Sequence, residues 1–268
     1  MGLLRLYLAF SVVQAHAGPV AWFSLLPATG GRQAVCLFFV ISGFYMAMVL
    51  NTKYRRPDAT ALFYTNRFLR LMPSYWIVAA LDVALFALLG RALLFGYDAP
   101  LPALVADLRA MPGTTKAFLA ATNLTGLGQD LLYLMTAGPQ GLEWQPYAET
   151  GSHDGIRYLV NSPFFSVSLE IYFYLIAPFT LRRGWGLAAI VCALGLAYHA
   201  ALAALGQWNL TFAYALFPAS LFFFYLGACG YFLASRAATA GWRGSRPILA
   251  AFGALLAAAF AMVLAYEI

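Results

Sequence analysis

The sequence predicts an all-α protein, a polytopic bundle of transmembrane helices, and three observations carry that expectation. Of its 268 residues, 63% are hydrophobic and only 10% are charged, with a mean hydropathy of +0.76. A soluble domain would hold roughly 25% charged and about 45–50% apolar residues. The apolar surplus is gathered into long blocks, and the basic residues fall mostly between the blocks. A β-barrel would show alternating segments of about ten residues, and none are visible.

A crossing needs about 20 apolar residues, and the blocks allow about seven to eight spans. They lie at 4–26, 33–51, 73–95, 163–181, 185–205, 211–234 and 247–267. The first runs on through Trp22 and Leu26 with no small-residue cleavage pattern after it, so it reads as a span and not as a signal peptide. Pro19 removes a backbone donor near His16 and should kink that helix. Pro73 is expected to open the third span with its φ preset. The segment 115–137 is weaker, because Asn123, Gly126, Gly128, Gln129 and Asp130 interrupt it.

The positive-inside rule orients the chain. With the N-terminus in the cytoplasm, Arg5, Lys53, Arg55, Arg56, Arg67, Arg70, Arg182, Arg183, Arg236, Arg243 and Arg246 all lie on the cytoplasmic side, out of 16 basic residues. Asp98, Glu143, Glu149 and Asp154 then lie outside. In this frame the third span ends outside and the 163–181 span begins there, so 115–137 cannot cross once. A re-entrant or surface helix is expected around 115–137, its polar residues lining a cavity where irregular backbone is tolerated. The polar 138–161 loop should cap the outer face.

The net charge of +6 forms no single soluble patch, which excludes nucleic-acid binding as the natural reading. Cys36, Cys192 and Cys229 sit inside apolar blocks without metal-type spacing and read as packing residues, and no metal is expected. No linker, repeat or second domain is visible, so 1–268 reads as a single membrane domain.

Four constellations carry candidate chemistry. Arg5 and His16 project from one face of the first helix, about 16 Å apart along its axis. An ionisable group at the depth of His16 faces a cavity or a partner. A helix–helix hydrogen bond is the plain alternative for His16, and a snorkelling topology charge for Arg5. Arg67 and Arg70 lie one turn apart within NRFLRLMPSY, and paired guanidinium groups make forked hydrogen bonds to phosphate. Glu170, the only acid of its span, shares a face with Ser166 and needs a partner from another helix, His16 or an arginine. Asp82 is a second intramembrane acid without an evident role.

Taken in order, LLRLYLAFSVVQAH, VCLFFVISGF, NRFLRLMPSY and FFSVSLEIYFYLIAP resemble the motifs of the acyltransferase-3 family of integral membrane O-acyltransferases. FPASLFFFYLGACGYF resembles a later family helix more loosely. Phe165 stands where the family usually has tryptophan. The chain carries fewer spans than the family's usual complement and reads as shortened at its C-terminus.

The resemblance implies an acyl-CoA donor, acetyl-CoA in the usual case, and an acceptor hydroxyl on a sugar or similar molecule. His16 is then the catalytic histidine, as general base or as transient acyl carrier, with Glu170 orienting it. Arg67 and Arg70, with Arg5, would hold the phosphates of the donor at the cytoplasmic face. Trp144, Tyr147, Ser166 and Tyr75 are the candidate acceptor-binding residues, since sugar rings stack on aromatic faces. The expected partners are acyl-CoA, a cell-surface or lipid-linked carbohydrate and the lipid bilayer, in a bacterial inner (plasma) membrane. A flippase or transporter of a glycan or lipid-linked substrate is the alternative, and a sensor in which His16 and Glu170 only pack is a third.

Overall fold

The computed structural model describes residues 2–17, 30–89, 107–138, 141–145 and 154–264. Its principal helices are α1 (Gly2–Ala17), α2 (Gly31–Asn51), α3 (Thr60–Leu89), α4 (Gly113–Thr125), α5 (Phe165–Leu181), α6 (Trp185–Ala204) and α7 (Phe217–Leu264). Among the described residues, four helical stretches are long and apolar enough to cross a bilayer: Gly31–Asn51, Pro57–Leu89, Trp185–Ala204 and Phe217–Thr239. Two shorter apolar helices cover Leu3–Ala15 and Phe165–Leu181. The chain is thus mostly helical and consistent with a polytopic membrane protein, and four of the about seven to eight expected spans qualify among the described residues.

Three sequence expectations need correction. Pro73 does not open its helix: α3 begins at Thr60, behind a 3-10 turn whose first residue is Pro57. That turn nucleates the helix, and neighbouring groups in a membrane bundle tolerate an interior proline. The blocks at 211–234 and 247–267 are not separate helices, since α7 runs unbroken through Pro247 after a π-type turn at Thr211–Ala215. Pro247 removes only one backbone donor, a loss that membrane helices tolerate, and Thr239 turns its hydroxyl back onto the Arg236 carbonyl at 2.9 Å. Finally, the fold is mostly helical but holds one short hairpin that the all-α expectation did not include. β1 (Met135–Gly138) and β2 (Gly141–Trp144) form an antiparallel hairpin in the register Met135↔Trp144 to Gly138↔Gly141. The kink expected near Pro19 and the remainder of the 4–26 block beyond Ala17 lie outside the described residues.

The chain divides into two compact units. The first comprises Met1–Phe63, Phe173–Gly206 and Pro218–Ile268. In it α1 lies along α2 through Leu8, Ala34 and Ile41, flanked by Val12, Leu37, Phe38 and Tyr45. Lipid offers no hydrophobic drive for helix pairing, so close van der Waals contact must supply it. Glycine makes that contact possible between α2 and α7: a methyl added at Gly43 would meet the Phe224 carbonyl, and one at Gly227 the Val40 carbonyl. Around this contact Phe224 stacks on Phe173 at 4.1 Å and meets Phe39 at 4.6 Å. Cys36, Cys192 and Cys229 are free and buried, as packing residues should be.

The second unit comprises Tyr64–Tyr172 and Gln207–Phe217. Met111, Leu119, Leu132, Tyr158 and Leu159 form an apolar core there. The chain leaves α4 through Gly126 and Gly128, both at positive φ (73° and 82°), a conformation glycine adopts without strain. A 3-10 turn at Asp130–Leu134 follows and leads into the hairpin. Residues 115–137 therefore form a short helix, a 3-10 turn and the start of β1, with no helix long and apolar enough to cross a membrane.

Candidate functional site

In the first unit, the backbone of His16 belongs to the last turn of α1, while its side chain lies outside the described residues. Arg5, near the start of the same helix, is half-buried with its guanidinium over the ring of Tyr45 of α2 at 4.7 Å. Its Nε is buried without a hydrogen-bond partner among the described residues. Delocalised guanidinium charge is stabilised by an aromatic face, and the fork stays available to an anion. The unit also holds a second fixed arginine that sequence reasoning read only as a topology charge. Arg182 Nε donates to the Tyr54 carbonyl at 3.0 Å and its Nη1 to Thr60 Oγ1 at 2.7 Å.

In the second unit, Arg67 and Arg70 stand one turn apart on α3, the first half-buried and the second exposed. Glu170 is half-buried on α5, one turn beyond Ser166. Ser166 donates its hydroxyl to the Pro163 carbonyl at 2.8 Å, so it can offer a ligand only its lone pairs. Trp144, at the end of β2, is 63% exposed and presents an open ring. Tyr147 lies outside the described residues. Tyr75 is only 4% exposed, its ring 4.6 Å from that of Phe164.

Tyr75 belongs to a hydrogen-bonded cluster whose centre is Asn123 of α4. Its hydroxyl donates to the Asn123 carbonyl at 2.5 Å and accepts from Gln129 Nε2 at 2.8 Å. The Asn123 side chain donates to the carbonyls of Leu119 and Tyr158, both at 3.0 Å, and accepts from the Val160 N–H at 2.8 Å. One residue on, Asn161 Nδ2 donates to Asp82 Oδ2 at 2.6 Å. Asp82 thus gains the partner that its own helix could not show. Nearby, Tyr172 accepts from the Gly128 N–H at 2.7 Å and donates to Asp130 Oδ1 at 3.2 Å. Burial pushes the Asp130 carboxyl above its usual range. Hydrogen bonds from Tyr172 and from the backbone of Phe217, Asp130 and Leu131 oppose that shift without cancelling it.

Interruptions of the apolar pattern at 123–130 pointed to this region, but nothing in a linear pattern shows which amide faces which hydroxyl. Asn161 carried no signal at all.

The chain is a mostly helical membrane protein with two guanidinium groups one turn apart inside α3 and buried carboxyl and amide groups in the same unit. The sequence comparison then supplies the family. The acyltransferase-3 family, whose model is described as an acyltransferase domain, matches residues 1–267, and the chain belongs to it. It is a membrane-associated acyltransferase. No curated protein and no solved structure matches it significantly.

Proposed function

We propose that the protein moves an acyl group, acetyl in the simplest case, from cytoplasmic acyl-CoA to a hydroxyl of a cell-surface or lipid-linked carbohydrate. The observation that supports this most directly is the family match over residues 1–267 with Arg67 and Arg70 one turn apart on the continuous helix α3. Coenzyme A carries a diphosphate and a 3′-phosphate. Arg67, Arg70 and Arg5 would grip these phosphates, leaving the pantetheine arm to reach inward. In this reading the protein sits in a bacterial inner (plasma) membrane with its N-terminus in the cytoplasm, as its basic residues favour.

The chemistry is acyl transfer between a thioester and an alcohol. His16 takes the proton from the acceptor hydroxyl as its oxygen attacks the thioester carbonyl. The C–S bond then breaks, an ester C–O bond remains, and the imidazolium returns its proton to the departing thiolate. Glu170 would hold the imidazole and stabilise its charged form. Trp144 and Tyr147 would stack on the sugar, with Tyr75 and Ser166 beside it.

The test uses membranes holding the full chain and acetyl-CoA labelled in its acetyl group, with wild type, His16→Ala and Arg67→Ala/Arg70→Ala at matched expression. Loss of the base should lower turnover by about 10²–10⁴-fold. Loss of the arginine pair should mainly raise the donor KM. Wild-type turnover that survives both changes would overturn the assignment.

A further inference from the structure

Two buried amides of the second unit are oriented alike, and neither has its carbonyl oxygen engaged. Gln129 is fully buried and Asn161 is 3% exposed. The single proton of the Tyr75 hydroxyl goes to the Asn123 carbonyl, so the group of Gln129 that faces Tyr75 must be its NH₂. Asn161 likewise turns its NH₂ to the Asp82 carboxylate, an acceptor only. Each amide is thereby fixed with its oxygen turned away from its anchor. Gln129 Oε1 and Asn161 Oδ1 are both buried without a hydrogen-bond partner among the described residues. An orphaned buried acceptor is costly to the fold, and folded proteins leave few of them.

Both amides hang from one scaffold. Tyr75 and Asp82 are two turns apart on one face of α3, about 10 Å along its axis. Asn123 joins Tyr75 on one side to the Tyr158–Val160 backbone on the other, next to Asn161. The open positions, Gln129 Oε1 and Asn161 Oδ1, are both acceptors. Such a cluster takes hydroxyl donors and turns away phosphate or carboxylate.

From this we infer that the Tyr75–Gln129–Asn123–Asn161 cluster is the acceptor subsite, binding an uncharged polyhydroxylated molecule through the free carbonyl oxygens of Gln129 and Asn161. The inference rests on the acyl-transfer reading and adds to it the residues that select the acceptor. Gln129 and Asn161 position the acceptor, and neither takes part in bond making.

Gln129→Met is the informative variant. It removes at nearly constant volume both the orphaned oxygen, whose burial costs the fold, and the Nε2 donor to Tyr75, so the two effects on stability offset, while Tyr75 keeps its bond to Asn123. Three quantities are compared with wild type: transfer of label from acetyl-CoA to the carbohydrate fraction of the membranes, binding of labelled acetyl-CoA to the purified full chain, and thermal stability in detergent. The expected result is roughly a tenfold loss of transfer, with donor binding and stability unchanged, the loss of one hydrogen bond to a buried group. Transfer within twofold of wild type overturns the subsite. So does a loss of transfer accompanied by a fall in stability, which assigns the amide to the fold, or wild-type label recovered only in an anionic or non-carbohydrate fraction. A wild type that neither binds nor consumes acetyl-CoA instead defeats the acyl-transfer reading itself.

Discussion

At the scale of single residues, the polar cluster of the second unit is held by hydrogen bonds of fixed direction. Tyr75→Phe removes one donor and one acceptor at once, leaving the Asn123 carbonyl and Gln129 Nε2 buried and unpaired. The expected cost is about 1–3 kcal/mol, read as a lower melting temperature in detergent. Asp130 gives a pH dependence of definite sign. Its carboxyl is held above the usual range by burial, so the folded state binds the proton more tightly than the unfolded chain does. Its contribution is complete below the unfolded pKa and is lost as pH rises through the folded one. Stability should therefore fall with rising pH across that window, and Asp130→Asn should flatten the profile. A stability that rises with pH there, and does so equally in the variant, would contradict this account. Gln129 and Asp130 were visible in the sequence as interruptions of an apolar run. Their partners were not, because Tyr172 and Tyr75 lie more than 40 positions away along the chain.

At the scale of elements, helix contact is set by where side chains are missing. Gly43 and Gly227 let α2 and α7 approach until backbone meets backbone. Gly43→Ala or Gly227→Ala must push the helices apart, and overpacking of this kind costs about 1–3 kcal/mol. Gly186, near the start of α6, has nothing within 4 Å of an added methyl. Gly186→Ala should be neutral or stabilising, by up to about 1 kcal/mol, because alanine forms helix more readily. Thermal unfolding of the three variants side by side checks the contrast. The span blocks were legible from hydropathy, but helix ends were less so. Pro73 and Pro247 looked like boundaries and proved interior, since a proline removes only one donor and its surroundings can absorb the loss. The hairpin at 135–144 also escaped notice: two four-residue strands are too short to show a period of two.

At the scale of the whole molecule, the distribution of charge orients the chain in its membrane. Arg56 lies in a basic loop with 84% of its side chain exposed, and Trp144 lies in the acid-bearing segment at 63% exposure. Single cysteines at these positions should behave oppositely toward a membrane-impermeant thiol reagent in intact cells, Trp144→Cys being labelled and Arg56→Cys protected. The three native cysteines are buried and should add little background. Labelling of both positions, or of Arg56→Cys alone, would refute the cytoplasmic placement of the N-terminus.

The sequence by itself determined the solvent this protein folds in and its family. Those properties depend on composition and on short ordered motifs, which survive without knowledge of contacts. Only the tertiary structure decided which amide faces which hydroxyl, where α2 and α7 touch, and that Asp82 has Asn161 for a partner. Hydrogen-bond direction and close packing are relations between residues distant in the chain, and a linear pattern holds no record of them.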